Sequence, residues 1–180
     1  PLDPEVLARL RQRMDCAPSV GNARPWRVLQ VDSPAMRASV IESFEACNAE
    51  AAENNGRQAR ADYLALKLAG LREAPVHLAV FTDTTVSEGR GLGRQTMPET
   101  LSYSTVMAIH TLWLAARAEN IGVGWVSILD PAAVADILEV PGTWSLTGYL
   151  SLGYQQRPSD TPLLREAGWQ ANTATRWRLV

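Results

Sequence analysis

Ser127 closes the run Gly122-Val123-Gly124-Trp125-Val126-Ser127-Ile128-Leu129, in which two glycines alternate with β-branched and aromatic residues ahead of Asp130-Pro131. A backbone this bare lets a flat ligand approach main-chain N–H and C=O groups. The hydroxyl adds one polar atom where strand gives way to loop. The same pattern also suits a buried strand whose glycines serve packing. A second segment, Ala17-Pro18-Ser19-Val20-Gly21-Asn22-Ala23-Arg24-Pro25-Trp26, gathers donors of the kind that hold a phosphorylated or heteroaromatic ligand. Alone, it reads more readily as a turn-rich connector. Lys67 is a lone cation in the apolar stretch Tyr63 to Leu68, explained by snorkelling as readily as by an anion site.

Several chemistries are set aside. The sequence has no phosphate loop of the Walker type and no His-Glu-x-x-His zinc helix, and no metal site is expected. Gly89, Gly91 and Gly93 miss the dinucleotide spacing and do not directly follow a strand. With only His77 and His110, a Ser-His-Asp triad is hard to build. His77 falls within a strand pattern and His110 within a helix expected to be buried, so both read as structural.

The elements that must position these residues are marked by caps. Asp3-Pro4, Ser33-Pro34 and Asp130-Pro131 each set a capping oxygen before a proline at the first helical position. Thr96-Met97-Pro98-Glu99 resembles the same signal. Helices are expected over 4–15, 34–54, 57–72, 98–119 and 131–138, and strands over 26–31, 76–81, 121–127 and 146–152. Their irregular alternation argues an α+β fold around a central sheet. The 98–119 helix is apolar on much of its circumference (Val106, Met107, Ile109, Leu112, Trp113, Leu114), so it should be buried centrally or against a second copy of the chain. The glycine-rich Glu88 to Gln95 reads as a mobile loop.

At 180 residues, 46% hydrophobic and 20% charged, the chain is expected to form one soluble domain. A net charge of −2 leaves no electrostatic footprint for nucleic acid. No apolar run reaches membrane-span length, and Pro1-Leu2-Asp3-Pro4 is no signal peptide. Cys16 and Cys47 fit no metal spacing and are expected as reduced thiols in a cytoplasmic protein.

Taken together, these segments resemble the nitroreductase-like flavoprotein superfamily, in which Ala-Pro-Ser-x-x-Asn-x-x-Pro-Trp joins the first helix to the first strand. More narrowly, the chain is similar to the 5,6-dimethylbenzimidazole synthase (flavin destructase) family. That likeness is carried by Ala17 to Gly21, Leu66-Lys67-Leu68, Glu73-Ala74-Pro75 and Gly93-Arg94-Gln95-Thr96-Met97-Pro98-Glu99-Thr100. It continues through Leu112 to Glu119, Ile121 to Leu129, Leu152-Gly153-Tyr154 and Gly168-Trp169, nearly the whole length.

The resemblance implies a nitroreductase-like central mixed sheet flanked by helices, in an obligate homodimer with FMN at the interface. It implies oxygen-dependent fragmentation of reduced FMN to 5,6-dimethylbenzimidazole and erythrose 4-phosphate for the lower ligand of cobalamin. NAD(P)H would reduce the flavin, directly or through a separate flavin reductase. Ser127 would be the catalytic serine. Pro18, Ser19, Asn22, Lys67, Leu68, Gly124, Ser127, Ile128 and Leu129 would contact FMN, and Gly89 to Pro98 would form a lid. Arg24 stands where relatives commonly carry Gln. The family opens with an Arg-Arg-Asp-x-Arg segment ahead of the first helix, supplying phosphate ligands and a catalytic aspartate. No such segment precedes Pro4 in this sequence, and the native protein is expected to continue upstream. Arg176 and Arg178 read as solvent-exposed tail charges. Two other functions share this frame: an ordinary NAD(P)H-dependent FMN nitroreductase or flavin reductase, and a non-catalytic flavin-binding protein.

Overall fold

The computed structural model describes residues 1–53, 70–155, 157 and 159–179. The helices are α1 (Pro4–Met14), α2 (Pro34–Glu53), α3 (Thr100–Ala118), α4 (Pro131–Ile137) and a short α5 (Leu163–Glu166). The strands are β1 (Trp26–Gln30), β2 (Val76–Asp83), β3 (Ile121–Val126) and β4 (Trp144–Tyr154). They form one sheet in the order β1-β2-β4-β3. Each pairing is antiparallel, so the mixed character expected of the sheet is not found among the described residues.

The caps act as their sequences suggest. Asp3 Oδ1 accepts from the Glu5 N–H at 2.8 Å, and Asp130 Oδ1 accepts from the Ala132 N–H at 2.9 Å and Ala133 N–H at 3.3 Å. The helix expected from residue 98 starts two residues later. Pro98 belongs to the preceding turn, and the Thr100 hydroxyl donates to the Met97 carbonyl at 2.6 Å. Most of the helix expected over 57–72 lies outside the described residues, and its expected last residues, Leu71 and Arg72, lie in a turn with Glu73. Glu88–Gly91 is a 3-10 turn rather than irregular loop, with Gly89 and Arg90 at positive φ.

Alternation along β2 divides the core. Val76, Leu78 and Val80 face α1 and α3, packing with Leu7, Leu10, Ile109, Leu112, Leu150 and Leu152. Ala79 and Phe81 face α2 and α4 with Val40, Val134, Leu138 and Tyr149. A central strand covered on both faces reads as a continuous apolar run, and β2 does. Only one face of α3 is buried, by Leu101, Ala108, Ile109, Leu112 and Ala116. Tyr103, Met107 and Leu114 on the other face are 54%, 43% and 59% exposed. His110 is exposed too, so of the two alternatives for this apolar helix, burial within its own chain is not what the described residues show.

Candidate functional site

The connector between α1 and β1 turns sharply. Val20–Asn22 is a 3-10 turn, with Gly21, Asn22 and Arg24 at φ of 54°, 58° and 47°. The Ser19 hydroxyl oxygen accepts from the Arg24 N–H at 3.1 Å, leaving its own proton free to donate. The Val20 N–H donates to the Ser104 hydroxyl at 3.0 Å, which ties the turn to α3. Gly21 and Gly89 meet backbone to backbone: a Cβ on Gly89 would lie 2.8 Å from the Gly21 carbonyl oxygen. The turn therefore holds the 88–96 loop, and between them lies a cavity of about 670 Å³ lined by Gly21, Arg90, Leu92, Gln95 and Thr96. Arg24, whose role the sequence left open, pairs with Asp15 at 2.7 Å and stacks 5.5 Å from the Trp26 ring centre.

At the other edge of the sheet, β3 ends at Val126 and the exposed Ser127 follows. Ile128 is half-buried. The Leu129 side chain is buried between sheet and α4, which fixes the backbone of 127–129 above the capped helix start. Gly122 and Gly124 are not bare toward the protein. A Cβ on Gly124 would lie 2.7 Å from Ser151 Oγ, and one on Gly122 would lie 3.2 Å from Gln155 Cγ. The packing role of these glycines is therefore real. A second cavity, also about 670 Å³, opens beside them, lined by Gly70, Pro75, Gly122, Gly124, Ser151 and Tyr154.

Two groups of expected site residues thus separate within one protomer. Pro18, Ser19 and Asn22 precede edge strand β1, whereas Gly124, Ser127, Ile128 and Leu129 belong to the opposite edge strand, β3, and its exit. Three strand spacings of about 4.8 Å put roughly 14 Å of sheet between these edges. Lys67 and Leu68 lie outside the described residues. Arg176 and Arg178 are exposed, as expected.

Sequence reasoning overlooked two features. Ser151 is 7% exposed, and its hydroxyl has no hydrogen-bond partner among the described residues. The signal was a lone hydroxyl at the inward position between Leu150 and Leu152. His77 and Tyr149, buried next to each other under the 70–75 turn, share a hydrogen bond of 3.0 Å between Nδ1 and Oη. His77 Nε2 makes no properly aligned bond, so the histidine expected to be satisfied is only half so. Burial, then the charge of Arg37, holds the His77 pKa below its ordinary value; the Leu71 and Ala74 carbonyls oppose the shift in part. Burial pushes the Tyr149 phenol up to about 12.

Among the described residues no group of His, Cys, Asp and Glu could hold a metal ion, and no helix is long and apolar enough to cross a membrane. The fold matches solved structures. Iodotyrosine deiodinase bound to FMN and 3-iodo-L-tyrosine superposes with a TM-score of 0.75 at 22% identity, covering 99% of this chain and 90% of that one. A BluB-like flavoprotein from Clostridium difficile 630 gives 0.65 at 16% identity, covering 92% and 89%. In sequence, the chain is 56% identical over 178 residues to a 5,6-dimethylbenzimidazole synthase of Rhodobacter capsulatus (98% of this chain, 86% of the relative). It is 51% identical over 171 residues to a protein of the same name from Rhodospirillum rubrum (95% and 81%). The profile of the Nitroreductase family matches residues 1–154, and the chain belongs to that family, in the group of the 5,6-dimethylbenzimidazole synthases.

Proposed function

We propose that this protein fragments reduced FMN with dioxygen to 5,6-dimethylbenzimidazole and erythrose 4-phosphate. It does so in the cytoplasm, as a homodimer with the flavin between protomers and NAD(P)H as the source of electrons. The reading is carried by the exposed Ser127 at the exit of β3, in a chain 56% identical to a relative named for that product. FMN fits what is present: a cavity of about 670 Å³ beside β3 is of cofactor size, and it is lined by the Ser151 hydroxyl, which bonds none of the described residues.

FMN, once reduced, supplies both the electrons for dioxygen and the carbon skeleton of the product. The chain's own contributions are positional and protic. The Ser127 hydroxyl, without a hydrogen-bond partner among the described residues, moves a proton to or from the ligand. The backbone at Ile128 and Leu129 borders the ring, held still by the buried Leu129 side chain. Pro18, Ser19 and Asn22 lie across the sheet from Ser127, so in the proposed dimer they approach the flavin from the other protomer, along with the 88–98 loop that excludes water. The exposed apolar face of α3 supplies a surface for such a dimer. Lys67 and Leu68 are carried over from the family resemblance as further flavin contacts.

The test is direct. Protein in the form the cell makes is given reduced FMN and air, and 5,6-dimethylbenzimidazole is sought by mass spectrometry, with Ser127→Gly in parallel. Product from the parent and at least a hundredfold less from the variant is expected. FMN recovered intact from both, with only hydrogen peroxide formed, would leave an ordinary flavoprotein and refute the proposal.

A further inference from the structure

Across the sheet, His77, Ser151 and Gly124 form one row: His77 pairs with Ser151 between β2 and β4, and Ser151 pairs with Gly124 between β4 and β3. Directly opposed residues of antiparallel strands point to the same face. Ser151 therefore projects on the α2 and α4 side, with Tyr149 as its neighbour two residues back. Its hydroxyl leans over Gly124, in the space a Cβ at 124 would need, 2.7 Å away. On its other side, a Cβ at Gly70 would lie 3.5 Å from the same oxygen. The contact at Gly70 is an ordinary one, so it is Gly124 that makes room for the hydroxyl, and that hydroxyl lines the cavity of about 670 Å³.

The Ser151 hydroxyl is not sealed in the core: it opens to the cavity, and among the described residues no side chain or carbonyl bonds it, so it is available to a ligand there. His77 does not take it up: its Nδ1 is engaged by Tyr149, and its Nε2 has no hydrogen-bond partner among the described residues. From Gly124 to Ser127 is three residues of extended chain, about 10 Å. A ligand of FMN's length that touches Ser127 and runs back along β3 reaches the cavity that Ser151 lines.

We infer that Ser151 is a positioning residue for the flavin: its hydroxyl hydrogen-bonds the bound molecule, and Gly124 is glycine so that the hydroxyl can project into the cavity. This rests on the FMN reading above. It assigns Ser151 no part in bond-making; the residue fixes where the flavin lies relative to Ser127.

The test separates binding from folding. FMN affinity is measured by fluorescence quenching on parent, Ser151→Ala and Gly124→Ala, and the Tm of each apoprotein is recorded. Ser151→Ala removes a hydroxyl that opens to the cavity and bonds none of the described residues, so the apoprotein should melt close to the parent temperature. Its FMN dissociation constant should nevertheless rise roughly three- to tenfold, the loss of one hydrogen bond. A merely structural role would move the two together. Gly124→Ala should weaken FMN as well, and should cost less affinity when added to Ser151→Ala than to the parent, because the hydroxyl it displaces is already gone. Ser151→Ala binding FMN within twofold of the parent would overturn the assignment and leave the flavin reading intact. A parent that binds no FMN would overturn the flavin reading, and the assignment with it.

Discussion

Tyr149→Phe should destabilise the protein by an amount that shrinks as the pH rises. The phenol is fully buried between β2 and the α2–α4 layer, and among the described residues its Oη is the one hydrogen-bond partner of His77 Nδ1. Deleting the hydroxyl leaves both ring nitrogens of a histidine that is 1% exposed without an aligned partner. Stranding a buried polar atom costs about 1–3 kcal/mol, which in a domain of this size lowers Tm by roughly 3–10 °C. The phenol carries a second signature. Its pKa is raised from 10.0 to about 12 in the folded protein. Its contribution is therefore fully present below the unfolded value of 10 and is lost as pH climbs toward about 12, up to roughly 2–3 kcal/mol. Parent and variant melting curves, or urea titrations at fixed protein concentration, taken from pH 8 to pH 11.5, read both effects. The gap should be widest near pH 8 and narrow above pH 10, because only the parent has this group to ionise. A double change, His77→Phe with Tyr149→Phe, should cost less than the sum of the singles, since it removes both polar partners together. Equal stability of parent and Tyr149→Phe at pH 8, or a gap that stays constant up to pH 11.5, would refute the reasoning.

The remaining predictions concern pH, interface and cap. His77 has its pKa lowered from 6.5 and is neutral when folded, so its share of stability is present above pH 6.5 and lost as the pH falls. His77→Phe should flatten the acid limb of a Tm-against-pH curve, and a limb as steep as the parent's would refute this. Leu114, 59% exposed on the free face of α3, should be covered by the second protomer of the proposed dimer. Leu114→Glu should shift sedimentation equilibrium toward monomer by at least tenfold and reduce FMN retention with it; an unchanged dimer would place the interface elsewhere. Asp130→Ala removes the acceptor for two N–H groups at the start of α4 and should cost about 1 kcal/mol, a loss of roughly 2–4 °C in Tm.

Legibility followed how local each determinant is. Asp3-Pro4 and Asp130-Pro131 placed their helix starts because cap and helix are neighbours in the chain. The ends of β4 escaped, since Trp144 and Tyr154 are strand only through pairing with Asp83 and Ile121. Pro98 misled, because a proline that fits the first turn of a helix fits the turn before it equally well. The exposure of Ser127 was readable from the strand-to-cap junction. The face of α3 that stays exposed was readable only as an alternative, because an apolar helix does not state whether its own chain or a second copy covers it.

Gly124 shows where local reading stops. In sequence it stands for either close ligand approach or tight packing, and the two readings compete. The register of β3 on β4 makes them one: the atom that packs against Gly124 is the hydroxyl of Ser151, and that hydroxyl is what a ligand at Gly124 would meet. A side chain at 124 would not simply block a flat molecule; it would first push aside the Ser151 hydroxyl that lines the cavity. Bare backbone and polar contact at this site are therefore a single feature, divided between residues 27 positions apart in sequence. Only the pairing of the two strands brings them together.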